Sequence, residues 1–184
     1  MITNLPEAVQ QRLALPALEK VDPNRQDVSV ETGQVVDSHA QAAVTAMLTG
    51  IFKLTRTAEG AALLINEPAQ GDKVSVVFGD KADEVVQKVA ATGTAGAERT
   101  RDLMNRIWDA VTAIIRENTE QPVTPESVVT MMSNERHNIL VYLPATLQMG
   151  ELLEDTTLDD RTNKMEGPVS GLMHKIENIF SGKE

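Results

Sequence analysis

Residues Ala97-Glu-Arg-Thr-Arg-Asp-Leu-Met-Asn-Arg-Ile-Trp-Asp-Ala-Val-Thr-Ala-Ile-Ile-Arg-Glu-Asn118 decide the fold class. Leu103, Met104, Ile107, Trp108, Val111, Ile114 and Ile115 recur at steps of three and four, while Arg99, Arg101, Asn105, Asp109, Arg116 and Glu117 fall largely on the opposite side. That period is a helix with one apolar face, which needs other helices to cover it. The break Thr92-Gly-Thr-Ala-Gly96 precedes it. Downstream, Thr124 reads as an N-cap with Pro125 in the first helical position. Ser133 or Asn134 then reads as the cap of a further helix over 135–142, stopped near Pro144.

Upstream, residues 33–56 carry Val35, Val36, Ala40, Ala43, Val44, Met47, Leu48, Ile51, Phe52 and Leu54 on one broad apolar helical face. A short helical piece, 61–65, and a loop with Pro68 and Gly71 follow. Val74-Ser-Val-Val-Phe78 has strand-like chemistry, but no nearby stretch offers a pairing partner, so it reads as the end of a buried segment. Gly79-Asp80 then opens a helix over 81–91, with Val85, Val86 and Val89 inward. At the start, Leu5, Val9, Leu13, Leu15 and Leu18 are loosely helical and are interrupted at Pro16, and Asp22-Pro23-Asn24 marks a turn or helix start.

Composition supports the same class. Aromatic residues make up 3% of the 184-residue chain against 41% hydrophobic, so the core is aliphatic and suits helix-on-helix packing. The expectation is an all-α bundle of about seven to nine helices. Met47-Leu-Thr-Gly-Ile-Phe-Lys53 echoes Ala110-Val-Thr-Ala-Ile-Ile-Arg116, and Thr57-Ala-Glu echoes Thr124-Pro-Glu. The echo leaves two readings open, an internal pseudo-duplication or the general likeness of amphipathic helices.

The string Ala42-Ala43-Val44, Met47-Leu48, Thr57-Ala58-Glu59-Gly60 and Leu63-Leu64-Ile65 resembles the first half of the bacterial YidB-like domain of unknown function. That domain also occurs fused in front of OmpA-type peptidoglycan-binding domains. Phe78-Gly79-Asp80-Lys81, the Leu103 to Ile115 helix, Met131-Met132-Ser133-Asn134-Glu135 and Leu143-Pro144-Ala145-Thr146-Leu147 resemble its second half. The likeness covers residues 30–152 and rests on order and spacing. The chain departs from the family in lacking its glycine-rich stretches and in adding an acidic segment and a terminal helix. The resemblance implies an all-helical fold and no established activity. It divides the chain into an N-terminal helical extension (1–29), the YidB-like domain (30–152), an acidic linker (153–167) and a C-terminal amphipathic helix (168–184).

Several function classes drop out. With no cysteine, thiolate metal sites, disulfides and cysteine nucleophiles are excluded, and a reducing, cytoplasmic location is expected. Net charge is −10 and the densest basic stretch, Arg99 to Arg106, is interleaved with Glu98 and Asp102, so nucleic acid is a poor partner. The opening Met1-Ile2-Thr3-Asn4-Leu5-Pro6 lacks signal-peptide chemistry, and no apolar run approaches the ~20 residues of a membrane span. His39, His137 and His174 form no metal-binding pair at helical spacing. Glu151, Glu154, Asp155, Asp159 and Asp160 lack the spacing of a calcium loop. The glycines before Ala97 lack a phosphate-loop Lys, and Ser170 is not in a nucleophile elbow. Trp108, Tyr142, Met131 and Met132 read as core.

The expectation is therefore a non-enzymatic protein without cofactor or metal. Its candidate contact residues are Val169, Leu172, Met173, Ile176, Ile179 and Phe180, a three-and-four stripe beyond the Gly167-Pro168 hinge. The stripe suits a protein partner or self-association. A membrane surface is the alternative, weakened because Lys175 and Lys183 alternate with Glu177 and Glu184, and an enzyme or small-ligand binder of unknown type comes third.

Overall fold

Thirteen consecutive residues, Ala40 to Phe52, are buried on every side of one helix. The computed structural model describes residues 4–21, 37–66, 71–155 and 157–158. Its helices are α1 (Leu5–Arg12), α2 (Ser38–Leu54), α3 (Ala58–Asn66), α4 (Lys73–Phe78), α5 (Ala82–Ala90), α6 (Ala97–Asn118), α7 (Pro125–Leu140) and the single turn α8 (Met149–Leu152). Short 3-10 turns, Gly79–Lys81 and Ala145–Leu147, complete them. Among the described residues there is no strand, and the architecture is an all-α bundle with seven helices longer than one turn.

The buried helix is α2, and it touches α1, α4, α5, α6 and α7. The sequence marks one apolar face here; the structure buries the rest as well. The other faces carry Ala42, Thr45, Ala46, Thr49 and Gly50, small enough for neighbouring backbones to approach closely. The hydroxyls of Thr45 and Thr49 donate back to the carbonyls of Gln41 (2.8 Å) and Thr45 (2.7 Å), so they demand nothing of the helices around them. Gly50 is the tightest point, since a Cβ there would stand 2.4 Å from Val77 Cγ1 and 2.5 Å from Phe78 Cε1. Asp37 caps α2 by accepting from the amides of His39 (3.0 Å) and Ala40 (3.2 Å), so the described helix starts at Ser38. Residues 33–36, with Val35 and Val36, and the Asp22-Pro23-Asn24 turn lie outside the described residues.

Helix α6 follows its sequence reading closely, burying Met104, Ile107, Trp108, Val111, Ile114 and Ile115, while Leu103 is only half-buried and Thr100 and Ala110 join the buried face. The Val74 to Phe78 stretch, read as the end of a buried segment, lies in a short helix of its own with Val74 and Phe78 buried. Its N-terminus is held from a distance: Asn105 Oδ1, on α6, accepts from the amides of Lys73 (2.9 Å) and Val74 (3.3 Å). Gly79 then takes φ +57°, a left-handed turn that suits glycine, before α5 opens one residue later than its sequence signal. Valines 85, 86 and 89 point inward as expected.

Helix α7 begins as read, with a reciprocal Thr124–Ser127 capping box and Pro125 in the first turn. It does not stop at Ser133. The separate helix expected over 135–142 is the second half of one element running to Leu140. Val128, Met132, Glu135 and Ile139 keep one buried stripe through the junction, while Ser133 and Asn134 are simply exposed on the outer face.

The ends of the described chain join the same core. Leu5 and Val9 of α1 are fully buried, with α1 against α2, α6 and α7. Leu153, Asp155 and Leu158, at the start of the acidic segment, are buried too. Among the described residues no helix is long and apolar enough to cross a membrane.

Candidate functional site

The stripe of Val169, Leu172, Met173, Ile176, Ile179 and Phe180 lies outside the described residues, as do His174, Ser170, Asp159 and Asp160. The structure does describe the place on the body from which that segment departs. Arg56, just past α2, donates from Nη1 to Asp155 Oδ2 (2.5 Å) and from Nη2 to the Thr157 hydroxyl (2.5 Å). Thr157 in turn donates its amide (3.0 Å) and hydroxyl (2.7 Å) to Asp155 Oδ1. Arg136, on α7, donates to the Thr157 carbonyl (2.6 Å), and Lys53 Nζ donates to the Leu153 carbonyl. The Arg56 guanidinium also lies 4.9 Å from the centre of the Phe52 ring.

Burial alone pushes the Asp155 carboxyl up. The Thr157 hydroxyl and amide, with Arg56 and Lys53, outweigh it and hold the group below the ordinary carboxylate range. The acidic segment is thus split. Asp155 turns inward as an anchor, whereas Glu151 and Glu154 stay exposed.

A second clasp holds the N-terminal segment. Glu135 is buried on α7, and its Oε2 accepts from the Leu5 amide (2.7 Å) and from Asn138 Nδ2 (2.9 Å). Tyr142 donates its hydroxyl to Glu7 Oε1 (2.5 Å) and accepts from Asn4 Nδ2 (3.3 Å). Burial and then the Glu7 carboxylate raise the Tyr142 phenol, with Asn4 opposing them. Gln41, buried on α2, reads one residue of the arm in both directions. Its Oε1 accepts from the Glu19 amide (2.9 Å) and its Nε2 donates to the Glu19 carbonyl (2.8 Å) and the Tyr142 carbonyl (2.9 Å). The Val21 amide donates to the Val141 carbonyl (2.8 Å).

The remaining sequence candidates disperse. His39 Nε2 pairs with the buried Thr100 hydroxyl at 2.8 Å, and His137 is exposed on α7. Gly93 packs against His39, since a Cβ there would meet the His39 Cβ at 2.7 Å. Trp108, Tyr142 and Met132 are buried, and Met131 is half-buried with its Sδ accepting from the Thr119 hydroxyl at 3.6 Å. Among the described residues, no group of three or more His, Asp or Glu is placed to hold a metal ion. Every described buried side-chain nitrogen or oxygen has a hydrogen-bond partner. The polar chemistry described here therefore anchors backbone, chiefly at the two chain segments that enter and leave the body. Neither Gln41 nor Glu135 stands out as a motif, although each interrupts an apolar stripe. Compared with protein-family models, with curated proteins and with solved structures, the chain matches none.

Proposed function

We propose that this chain is a non-enzymatic, cytoplasmic interaction module whose helical body is a mount and whose residues 169–180 are the docking element for a protein partner or a second copy. One observation carries the reading. The clasp around Asp155 and Thr157 fixes the chain to the body as far as Leu158, and only ten residues separate it from Val169, where an apolar stripe of helical spacing begins. A stripe tethered that close to a rigid body suits helix-in-groove recognition, with Val169, Leu172, Met173, Ile176, Ile179 and Phe180 as anchors. The kinship with YidB-like domains over residues 30–152 belongs to the same reading. It supplies no activity of its own.

The test compares the full-length chain with one ending at Glu166. A partner or dimer that depends on 167–184, with the melting temperature unchanged by truncation, supports docking. A large loss of thermal stability on truncation makes the stripe part of the core and ends the proposal. Co-flotation of the full-length chain with anionic liposomes, absent in the truncated chain, transfers the stripe to a membrane surface instead.

A further inference from the structure

Met131 and Met132 are neighbours on α7 with different surroundings. Met132 belongs to the buried stripe of that helix and is 1% exposed. One residue earlier, about 100° around the helix, Met131 packs at the edge of the core and is partly exposed. The other described methionines, Met47, Met104 and Met149, are at most 2% exposed, and Met1, Met165 and Met173 lie outside the described residues. The sulfur of Met131 already has a donor beside it. Thr119, the residue that closes α6, donates its hydroxyl to Met131 Sδ at 3.6 Å, the weak contact a thioether allows. Thr119 is placed there without help from Met131: its amide donates to the Ile115 carbonyl (3.0 Å), and Gln121 Nε2 ties the following turn back to the Arg116 carbonyl (2.9 Å).

A thioether within reach of solvent is a two-electron reductant for peroxides. We propose that Met131 is a modification site of this chain, oxidised by hydrogen peroxide or an organic hydroperoxide to the sulfoxide while Met132 beside it is spared. A sulfur lone pair attacks the terminal peroxide oxygen, and the S–O bond forms as the O–O bond breaks. The departing oxygen keeps the bonding pair, takes the proton of the transferred oxygen and leaves as water or an alcohol. Sulfur gives up two electrons and the peroxide gains them. Sulfoxide is polar, and inside a closed core it disrupts packing. At Met131 the new oxygen is a stronger acceptor than sulfur and, in one of the two sulfoxide epimers, stands beside the Thr119 hydroxyl. The fold keeps the mark, and the end of α6 stays tied to α7 through it. Nothing in this inference rests on the role proposed for 169–180.

The experiment treats the folded full-length chain with dilute hydrogen peroxide, quenches it at successive times and digests it with trypsin. The peptide from Glu117 to Arg136 carries both methionines, and fragmentation in the mass spectrometer assigns the added oxygen to one or the other. Met131 is expected to oxidise about tenfold faster than Met132 or more, with Met47, Met104 and Met149 as slow as Met132, because susceptibility follows exposure. In urea the two rates converge. Equal rates at Met131 and Met132 in the folded chain overturn the inference, and this comparison needs no variant. The second readout is the melting temperature after oxidation, with Met131→Leu treated alike to subtract oxidation at Met1, Met165 and Met173. The parent keeps its melting temperature, whereas oxidised Thr119→Val melts lower than unoxidised Thr119→Val. An equal loss in parent and Thr119→Val overturns the claim that Thr119 receives the sulfoxide and that the fold keeps it.

Discussion

Replacing Gly50 with alanine opposes two effects whose sizes are readable from the structure. In the interior of an exposed helix the change stabilises by roughly 1 kcal/mol, because glycine loses more backbone freedom on folding. Here the added methyl would stand 2.4 Å from Val77 Cγ1, 2.5 Å from Phe78 Cε1 and 2.6 Å from Phe78 Cζ. Ordinary carbon contacts lie at about 3.5–4.0 Å, so three overlaps of about 1 Å must be relieved together. Phe78 is buried and cannot swing into solvent, and α4 is held at its other end by Asn105, so relief means shifting α4 off α2. Overpacking of this kind costs about 1–3 kcal/mol, occasionally more, and here the severity of the overlap favours the upper end. The expected net effect of Gly50→Ala is a loss of about 1–2 kcal/mol, seen as a lower urea midpoint with an unchanged slope. The loss must also couple to its cause. In a Phe78→Leu background, which removes the two ring atoms, Gly50→Ala costs measurably less in a double-mutant cycle. A Gly50→Ala protein as stable as the parent, or a cost indifferent to Phe78, refutes the claim that α4 packs directly over a glycine notch in α2.

Two further outcomes follow from the caps and clasps. Helix α6 starts at Gly96 in extended geometry with no side-chain cap, and a Cβ there meets nothing within 4 Å. Gly96→Asp gains a cap, a favourable charge at the helix N-terminus and a less flexible unfolded chain, together about 0.5–1 kcal/mol, checked by a rise in melting temperature. Asp155→Asn costs about 1–2 kcal/mol at neutral pH, a figure already reduced for the partial exposure of Arg56. The Asp155 carboxyl is held below its ordinary value, so its contribution is complete above the unfolded carboxylate range, near pH 4, and is lost as pH falls through the folded value. The stability gap between parent and variant is therefore constant from pH 5 to 8 and closes in acid; a gap that widens below pH 4 contradicts the clasp.

How much of this was legible in the sequence depends on where the deciding atoms lie. Helix α6 was legible in its bounds and most of its buried face because its own side chains carry a helical period, and the start of α7 because Thr124, Pro125 and Ser127 are near neighbours. The continuity of α7 was not. Ser133-Asn134 has the chemistry of a cap and of an exposed helix face alike, and only the buried stripe through Glu135 and Ile139 separates the two. The burial of α2 on all sides was hidden for a related reason: alanine, threonine and glycine look neutral in isolation, and their smallness matters only once five helices stand around them. The clasps were hidden because their partners, main-chain groups and side chains alike, lie 21 to 138 residues away. Yet the N-terminal clasp left two traces. Gln41 falls in line with Val44, Leu48 and Phe52, and Glu135 in line with Val128, Met132 and Ile139. A polar side chain set in an apolar stripe must find hydrogen-bond partners when the stripe is buried, because leaving it unpaired costs several kcal/mol. The stripe itself therefore announces that something remote in the chain will be held there, and in this molecule the thing held is the N-terminal element at residues 4–21.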